Sequence, residues 1–146
     1  MIYFDTSYLV RLYYADVGAE TVRALAATDH VACAAHGQVE TMAAFHRKLR
    51  EGTIRPAAYG ALLRQFRAHD EMGAFQWLTQ DQEIFSRIAH VYAKLQATVF
   101  LRAADAIHLA TAAESGFRIV YSNDAHLLNA AKHFGIEGRD VIGRRA

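Results

Sequence analysis

The chain has a single cysteine, Cys33, which leaves it without an intramolecular disulfide and without a cysteine-based zinc cluster. Cys33 lies in the apolar run Val31-Ala32-Cys33-Ala34 and reads as a small buried strand residue. There is one proline, Pro56, and the glycines are scattered, so no stretch reads as a linker. A single domain over residues 1–146 is therefore expected. No uninterrupted apolar run approaches the length of a membrane span. The chain enters a strand directly, with no basic segment followed by an apolar signal core, and a soluble cytoplasmic protein is expected. Excess charge is missing too, since 16 basic against 15 acidic residues gives a net +1 that does not announce a nucleic-acid binder. What is present is apolar, 53% of residues against 21% charged, enough for a sizeable core.

Another absence is local. From Arg102 to Ala112 there is no glycine or proline, and alanine and leucine dominate, which predicts a helix. Small and apolar residues lie on nearly every face, so this helix is expected to be buried. Asp105 sits in its first turns, where a carboxylate must be paired, hydrogen-bonded, metal-bound or protonated. Around it the chain alternates strands and helices. Ile2-Tyr3-Phe4 reads as a strand buried on both faces, followed by a helix that Asp5-Thr6-Ser7 starts. A second helix is expected from Ala19 to Ala27 and a strand from His30 to Ala34. A helix carrying Glu40 then runs to Gly52, one from Pro56 to Met72, and a short strand from Ala74 to Leu78. Gln82 to Leu95 is helical by pattern. Past the Asp105 helix, Phe117 to Tyr121 reads as a strand, Asp124 as the cap of a helix from Ala125 to Phe134, and Asp140-Val141-Ile142 as a last short strand. The expected class is a three-layer α/β/α fold with a mostly parallel central sheet of four or five strands.

In such sheets functional groups gather beyond the carboxyl ends of the strands. Asp5 follows the first strand, Asp124 follows the strand ending near Tyr121, and Glu40 opens the helix after the second strand. Asp105 opens its own helix, whose N-terminus tolerates negative charge. The four acids can converge on one edge. Hard oxygen donors there suit Mg²⁺ or Mn²⁺, and without a cation the carboxylates repel one another.

The spaced set Asp5-Thr6-Ser7, Glu40, Asp105-Ala106-Ile107-His108-Leu109-Ala110 and Ser122-Asn123-Asp124 resembles the PIN-domain family, in particular its VapC-type toxins of bacterial toxin–antitoxin pairs. The resemblance covers the whole chain. It implies a Mg²⁺-dependent endoribonuclease, a homodimer, and a cognate VapB-type antitoxin as partner. Three departures stand out. Many members have Thr where Ser122 stands, many have a further acid where His126 stands, and His36-Gly37-Gln38 differs from the usual polar lead-in to the glutamate. On this reading Asp5, Asp105 and Asp124 ligate metal directly or through water, and Glu40 ligates metal or positions the attacking water. Ser7 and Ser122 orient carboxylates or contact phosphate. His108 shares a helix face with Asp105 and is read as a hydrogen-bonded structural residue rather than a ligand or general base, because an oxygen-rich site favours Mg²⁺.

Helix caps alone would account for Asp5 and Asp124, and a solvated helix face for Glu40; Asp105 has no comparable explanation. Between His46 and His69 stand Arg47, Lys48, Arg50, Arg55, Arg64 and Arg67 against the one acid Glu51. This is either a solvated face or an RNA-backbone contact, with Arg47, Arg64 and Arg67 as its candidates. Tyr13, Tyr14, Leu62, Leu63 and Phe66 look like more apolar surface than one small domain need bury, and so like an interface. Competing classes are weaker. A haloacid-dehalogenase-type phosphatase needs a second Asp where Ser7 stands, and a receiver domain needs a phosphoacceptor set that is not evident. A non-catalytic PIN-like binding module is disfavoured by the presence of all four acids, and another metal-dependent phosphohydrolase is the remaining alternative.

Overall fold

A computed structural model describes residues 1–143. The elements in chain order are β1 (Ile2–Phe4), α1 (Thr6–Tyr13), α2 (Ala19–Ala26), β2 (Val31–Ala34), α3 (Gly37–Arg50), α4 (Pro56–Glu71), β3 (Phe75–Leu78), α5 (Gln82–Lys94), α6 (Ala103–Glu114), β4 (Ile119–Tyr121), α7 (Ala125–Ala130), a 3-10 turn (Ala131–Phe134) and β5 (Glu137–Arg139). The five strands are all parallel, in the order β3-β2-β1-β4-β5. No helix among the described residues is long and apolar enough to cross a membrane.

The strands' alternation builds two cores, one on each face of the sheet. Tyr3, Ala34 and Val120 face α5, α6 and α7 and pack with Ile84, Val91, Leu109, Leu127 and Phe134. Phe4, Val31 and Cys33 face the other way and pack with Tyr8, Leu9, Tyr13, Val22, Phe45 and Phe66. β1 is the middle strand and is covered on both sides, which is why its three residues are apolar without alternation. Each buried ring of this kind contributes about 1.5–3 kcal/mol.

Two expectations change. Asp140-Val141-Ile142 is not a strand; the last strand is Glu137–Arg139, paired with β4 through Ile119↔Glu137 and Tyr121↔Arg139. Its side chains carry no apolar signal. What permits it is Gly138, where a Cβ would lie 2.9 Å from the Leu128 Cα, so only glycine lets the strand approach α7. Asp140 and Val141 instead engage Tyr8, whose hydroxyl donates to Asp140 Oδ1 at 2.9 Å and accepts from the Val141 amide at 2.8 Å. The helix expected to Phe134 also tightens into a 3-10 turn after Ala130.

The supposed apolar surplus is core. Tyr13 and Phe66 are buried and meet edge-on at 5.5 Å, and Leu62 and Leu63 are partly buried against the same cluster. Tyr14 packs there as well and takes the Lys48 ammonium over its ring at 3.8 Å. The exposed large apolar residues are others, among them Val39, Phe85, Tyr92 and Phe100.

Gly37 fixes where α3 starts. A Cβ there would lie 2.5 Å from the buried Cys33 sulfur on β2. Gly37→Ala should therefore lower stability by about 1–3 kcal/mol, which is roughly 3–10 °C in a thermal melt. Adding Cys33→Ala should recover most of that loss. A double variant that melts at the sum of the two single losses would show that this contact is not the cause.

Candidate active site

Asp5 leaves β1 and caps α1. Its Oδ1 accepts from the Ser7 hydroxyl at 2.7 Å and the Tyr8 amide at 3.2 Å, and its Oδ2 accepts from the Ser122 hydroxyl at 2.6 Å. It is only 5% exposed, and burial pushes its carboxyl up from the usual range; the electrostatic influence of the His108 ring and the three hydrogen bonds pull the other way. Ser122 follows β4 and turns its hydroxyl to both sides, donating to Asp5 and accepting the Asp124 amide at 2.9 Å. Ser7 does likewise, donating to Asp5 and accepting the Asn123 amide at 3.0 Å. The two serines thus orient Asp5 and lock the end of β1 to the end of β4.

Asp124 caps α7, its Oδ1 accepting from the His126 amide at 2.8 Å and the Leu127 amide at 3.3 Å. Asp105 lies in the first turn of α6 and is buried. Between these two acids sits a residue the sequence reading assigned no role, Arg102. Its Nε donates to Asp105 Oδ2 at 2.7 Å, and its Nη2 donates to Asp105 Oδ1 at 3.3 Å and to Asp124 Oδ2. The available signal was the i,i+3 spacing of Arg102 and Asp105 at a helix start. Burial alone would raise Asp124, but the bond from Arg102 and the two amides outweigh it and hold the carboxyl below its usual range. Arg102, bonded to Asp105 first and Asp124 second, is held firmly protonated.

Glu40, in the first turn of α3, belongs to a different network. Among the described residues all its hydrogen bonds fall on Oε2, which receives Thr6 Oγ1 at 2.6 Å and meets His108 Nε2 at 2.7 Å. His108 is buried, and its Nδ1 lies 2.9 Å from the Tyr3 hydroxyl, which also accepts the Ala34 amide at 3.1 Å. His108 thus bridges the Tyr3 hydroxyl on its Nδ1 side and Glu40 on its Nε2 side, and the Tyr3 oxygen keeps a lone pair beside the Ala34 amide. Burial would raise Glu40, yet the His108 bond and charge, Thr6 and His36 together bring it down to about 2. His108 is thus a hydrogen-bonded histidine, as its sequence context implied, and its partner is one of the four acids.

Asp5, Glu40, Asp105 and Asp124 line one cleft of about 290 Å³ together with Thr6, Ser7, Arg11, Arg47, Lys48, Arg102 and His108. Ser122 lies beneath it, fully buried. Of the three arginines singled out in the basic stretch, Arg47 lines the cleft. Arg64 and Arg67 are exposed on α4 and are not among its walls. A divalent cation fits the donor set. Asp105 and Asp124 already converge on one cationic nitrogen, Asp5 is tied to Asp124 through Ser122, and all donors are oxygen, which suits hard divalent cations. The group of three donors that lie within 4.8 Å of one another among the described residues is a different one, His36, Glu40 and His108. His36 was noted in the sequence only as a departure from the usual lead-in; its spacing of four from Glu40 was the signal.

A family model described as PIN domain matches residues 2–133. Among solved structures, FitAcB from Neisseria gonorrhoeae is 19% identical, with a TM-score of 0.73 over 94% of this chain and 96% of that one. VapC20 from Mycobacterium tuberculosis, a sarcin-ricin loop cleaving toxin, is 19% identical with a TM-score of 0.65, over 89% and 95% of the two chains. VapBC2 from Rickettsia felis, bound to a DNA fragment from their promoter, is 12% identical with a TM-score of 0.66, over 96% and 98%. No curated protein sequence matches.

Arg102 offsets the repulsion between Asp105 and Asp124. Arg102→Ala should destabilise the metal-free protein by about 1–3 kcal/mol, intermediate between exposed and buried pairs because Arg102 is half exposed. Mg²⁺ should then raise the melting temperature of the variant more than that of the wild type, because the competing guanidinium is gone. An identical Mg²⁺ shift in both proteins would mean that Arg102 and the ion do not share these carboxylates.

Proposed function

Because the chain belongs to the PIN domain family, we propose that it is a Mg²⁺- or Mn²⁺-dependent endoribonuclease of the VapC type, the toxin of a toxin–antitoxin pair, hydrolysing RNA phosphodiester bonds. The observation that carries this reading is the meeting of Asp5, Glu40, Asp105 and Asp124, from four separate elements, in one cleft with Arg47 and Lys48 on its wall. Asp5, Asp105 and Asp124 would hold the cation. Bound there, it supplies positive charge against the phosphate and lowers the pKa of a coordinated water.

The protein's own groups divide the remaining work. Ser7 and Ser122 hold Asp5 in one orientation, so its charge is aimed before any ligand arrives. Glu40 is fixed through Oε2 by Thr6 and His108, and its Oε1 carries no hydrogen bond among the described residues. A carboxylate held near pKa 2 is a weak proton acceptor at neutral pH. Glu40 therefore offers its free Oε1 to position the attacking water. Arg102, with its long half-exposed side chain, can leave Asp105 and Asp124 for the phosphate when a metal takes its place. Arg47 and Lys48 meet the RNA backbone, with Arg64 and Arg67 on α4 as outlying contacts. A VapB-type antitoxin belongs to the same reading, supported by the fold shared with the FitAcB and VapBC2 structures, and a homodimeric toxin with a cytoplasmic site of action completes it.

Asp5→Asn should lower metal-dependent RNA cleavage by at least roughly a hundredfold while leaving the fold intact. Cleavage that survives this change would place the activity elsewhere, including in a contaminant. Arg47→Ala should weaken RNA binding across sequences and reduce the log–log salt slope by about 1, and Arg64→Ala or Arg67→Ala should do less. Equal effects at all three positions would assign the binding to the whole basic stretch. Expression alone should arrest growth, and co-expression of a cognate VapB-type antitoxin should relieve the arrest. Light scattering should report a dimer.

A further inference from the structure

We propose that His36, Glu40 and His108 form a second cation site, selective for a borderline-soft divalent ion such as Zn²⁺ and separate from the all-oxygen site of Asp5, Asp105 and Asp124. His36 and Glu40 are one helical turn apart at the start of α3, and His36 Nε2 lies 3.3 Å from Glu40 Oε2. His108 approaches from α6, its Nε2 2.7 Å from the same oxygen. The two imidazole rings are 4.2 Å apart between centroids, and donor atoms of all three residues lie within 4.8 Å of one another.

The donor chemistry separates this group from its neighbour. Two imidazoles and one carboxylate suit Zn²⁺, and they suit Mg²⁺ poorly. Tetrahedral zinc with bonds of about 2.0–2.1 Å sets its ligand atoms roughly 3.3 Å apart. The His36–Glu40 separation of 3.3 Å already has that value, and the His108–Glu40 separation of 2.7 Å must open by roughly 0.6 Å. An independent observation comes from His36. Among the described residues both of its ring nitrogens are buried without a well-formed hydrogen bond, Nε2 facing only Glu40 Oε2 at 3.3 Å. Leaving such atoms unsatisfied costs about 1–3 kcal/mol each, and a metal bond would relieve one of them. The support behind His108 is also in place. With the ion on Nε2, the ring proton sits on Nδ1 and faces the Tyr3 hydroxyl at 2.9 Å, the outer contact that metal-bound histidines usually make.

Glu40 and His108 line the cleft, so an ion can reach them from it. An ion held there draws Glu40 away from its place in the cleft and adds positive charge beside the proposed Mg²⁺ site. Zn²⁺ would thus inhibit RNA cleavage; this consequence, unlike the site itself, rests on the function proposed above.

The test is a titration of the metal-free full-length protein with Co²⁺, read by its visible absorption, followed by displacement with Zn²⁺. Wild type should bind one Co²⁺ with strong tetrahedral bands that one equivalent of Zn²⁺ abolishes, and Zn²⁺ should raise its melting temperature. His36→Gln and His36→Ala should weaken Zn²⁺ binding about tenfold or more. Both variants should keep their Mg²⁺-dependent cleavage and lose its inhibition by Zn²⁺. Equal Zn²⁺ affinity in wild type and both variants would overturn the site, as would the absence of any Zn²⁺-induced melting shift in wild type. The titration and melts need no nuclease activity, so a protein that binds Zn²⁺ through His36 yet cuts no RNA would refute the proposed function and leave this site standing.

Discussion

Asp5 is a carboxylate enclosed at the end of a buried parallel strand, and the rest of the cleft is arranged around keeping it there. Three donors hold it, from Ser7, Tyr8 and Ser122; Ser7 also reaches across to Asn123 in the loop after β4, where Ser122 itself lies and bonds the Asp124 amide. These bonds do two jobs at once. They compensate a charge that the interior would otherwise reject, and they set the ends of β1 and β4 at one height, from which Asp124 starts α7. Removing Asp5 would therefore cost more than one ligand; the hydroxyls of Ser7 and Ser122 would lose their shared acceptor.

The cleft has two electrostatic halves. On one, Arg102 neutralises Asp105 and Asp124 from within the same chain. On the other, Glu40 is held by hydrogen bonds from Thr6 and from His108, which is anchored in the core through Tyr3. The two solutions differ in rigidity. A half-exposed arginine on a four-bond stem can move on a fast timescale, whereas Glu40 is tied by hydrogen bonds to Thr6 and to His108, itself buried against Tyr3. Exchange of cations is thus easier at Asp105 and Asp124 than at Glu40.

Much of this was legible in the sequence because it rests on periodicity and caps. The apolar runs at Ile2–Phe4 and Val31–Ala34, the Asp5 and Asp124 caps, and an aspartate in an otherwise apolar helix all carry their meaning locally. What escaped depends on contacts between distant segments. Glu137–Arg139 forms a strand through its backbone, with no apolar pattern to announce it. Arg102 reads as an ordinary residue flanking a helix until Asp124 is brought beside it. His36 reads as a deviation until α6 delivers His108 to the same oxygen. The basic stretch reads as one patch, yet the turn between α3 and α4 leaves Arg47 on the cleft wall and Arg64 and Arg67 away from it. Tyr13 and Phe66 read as surplus because sequence shows how much apolar surface there is and not how much the second core consumes.

The order of the strands also bears on when a growing chain acquires its cleft. β1 precedes the other four strands in the chain and ends up in the middle of the sheet, but the partners that complete its carboxyl end follow much later. Asp5 meets Ser122 across 117 residues, and Tyr3 meets His108 across 105. Such contacts must close nearly the whole chain as a loop before they stabilise anything, which makes them late steps in folding. During synthesis, Asp5 and Glu40 leave the ribosome long before Asp105 and Asp124 exist. A nascent or prematurely terminated chain therefore holds only part of the cleft's acids, and whatever chemistry the cleft performs is withheld until the segment carrying Asp124 has been made.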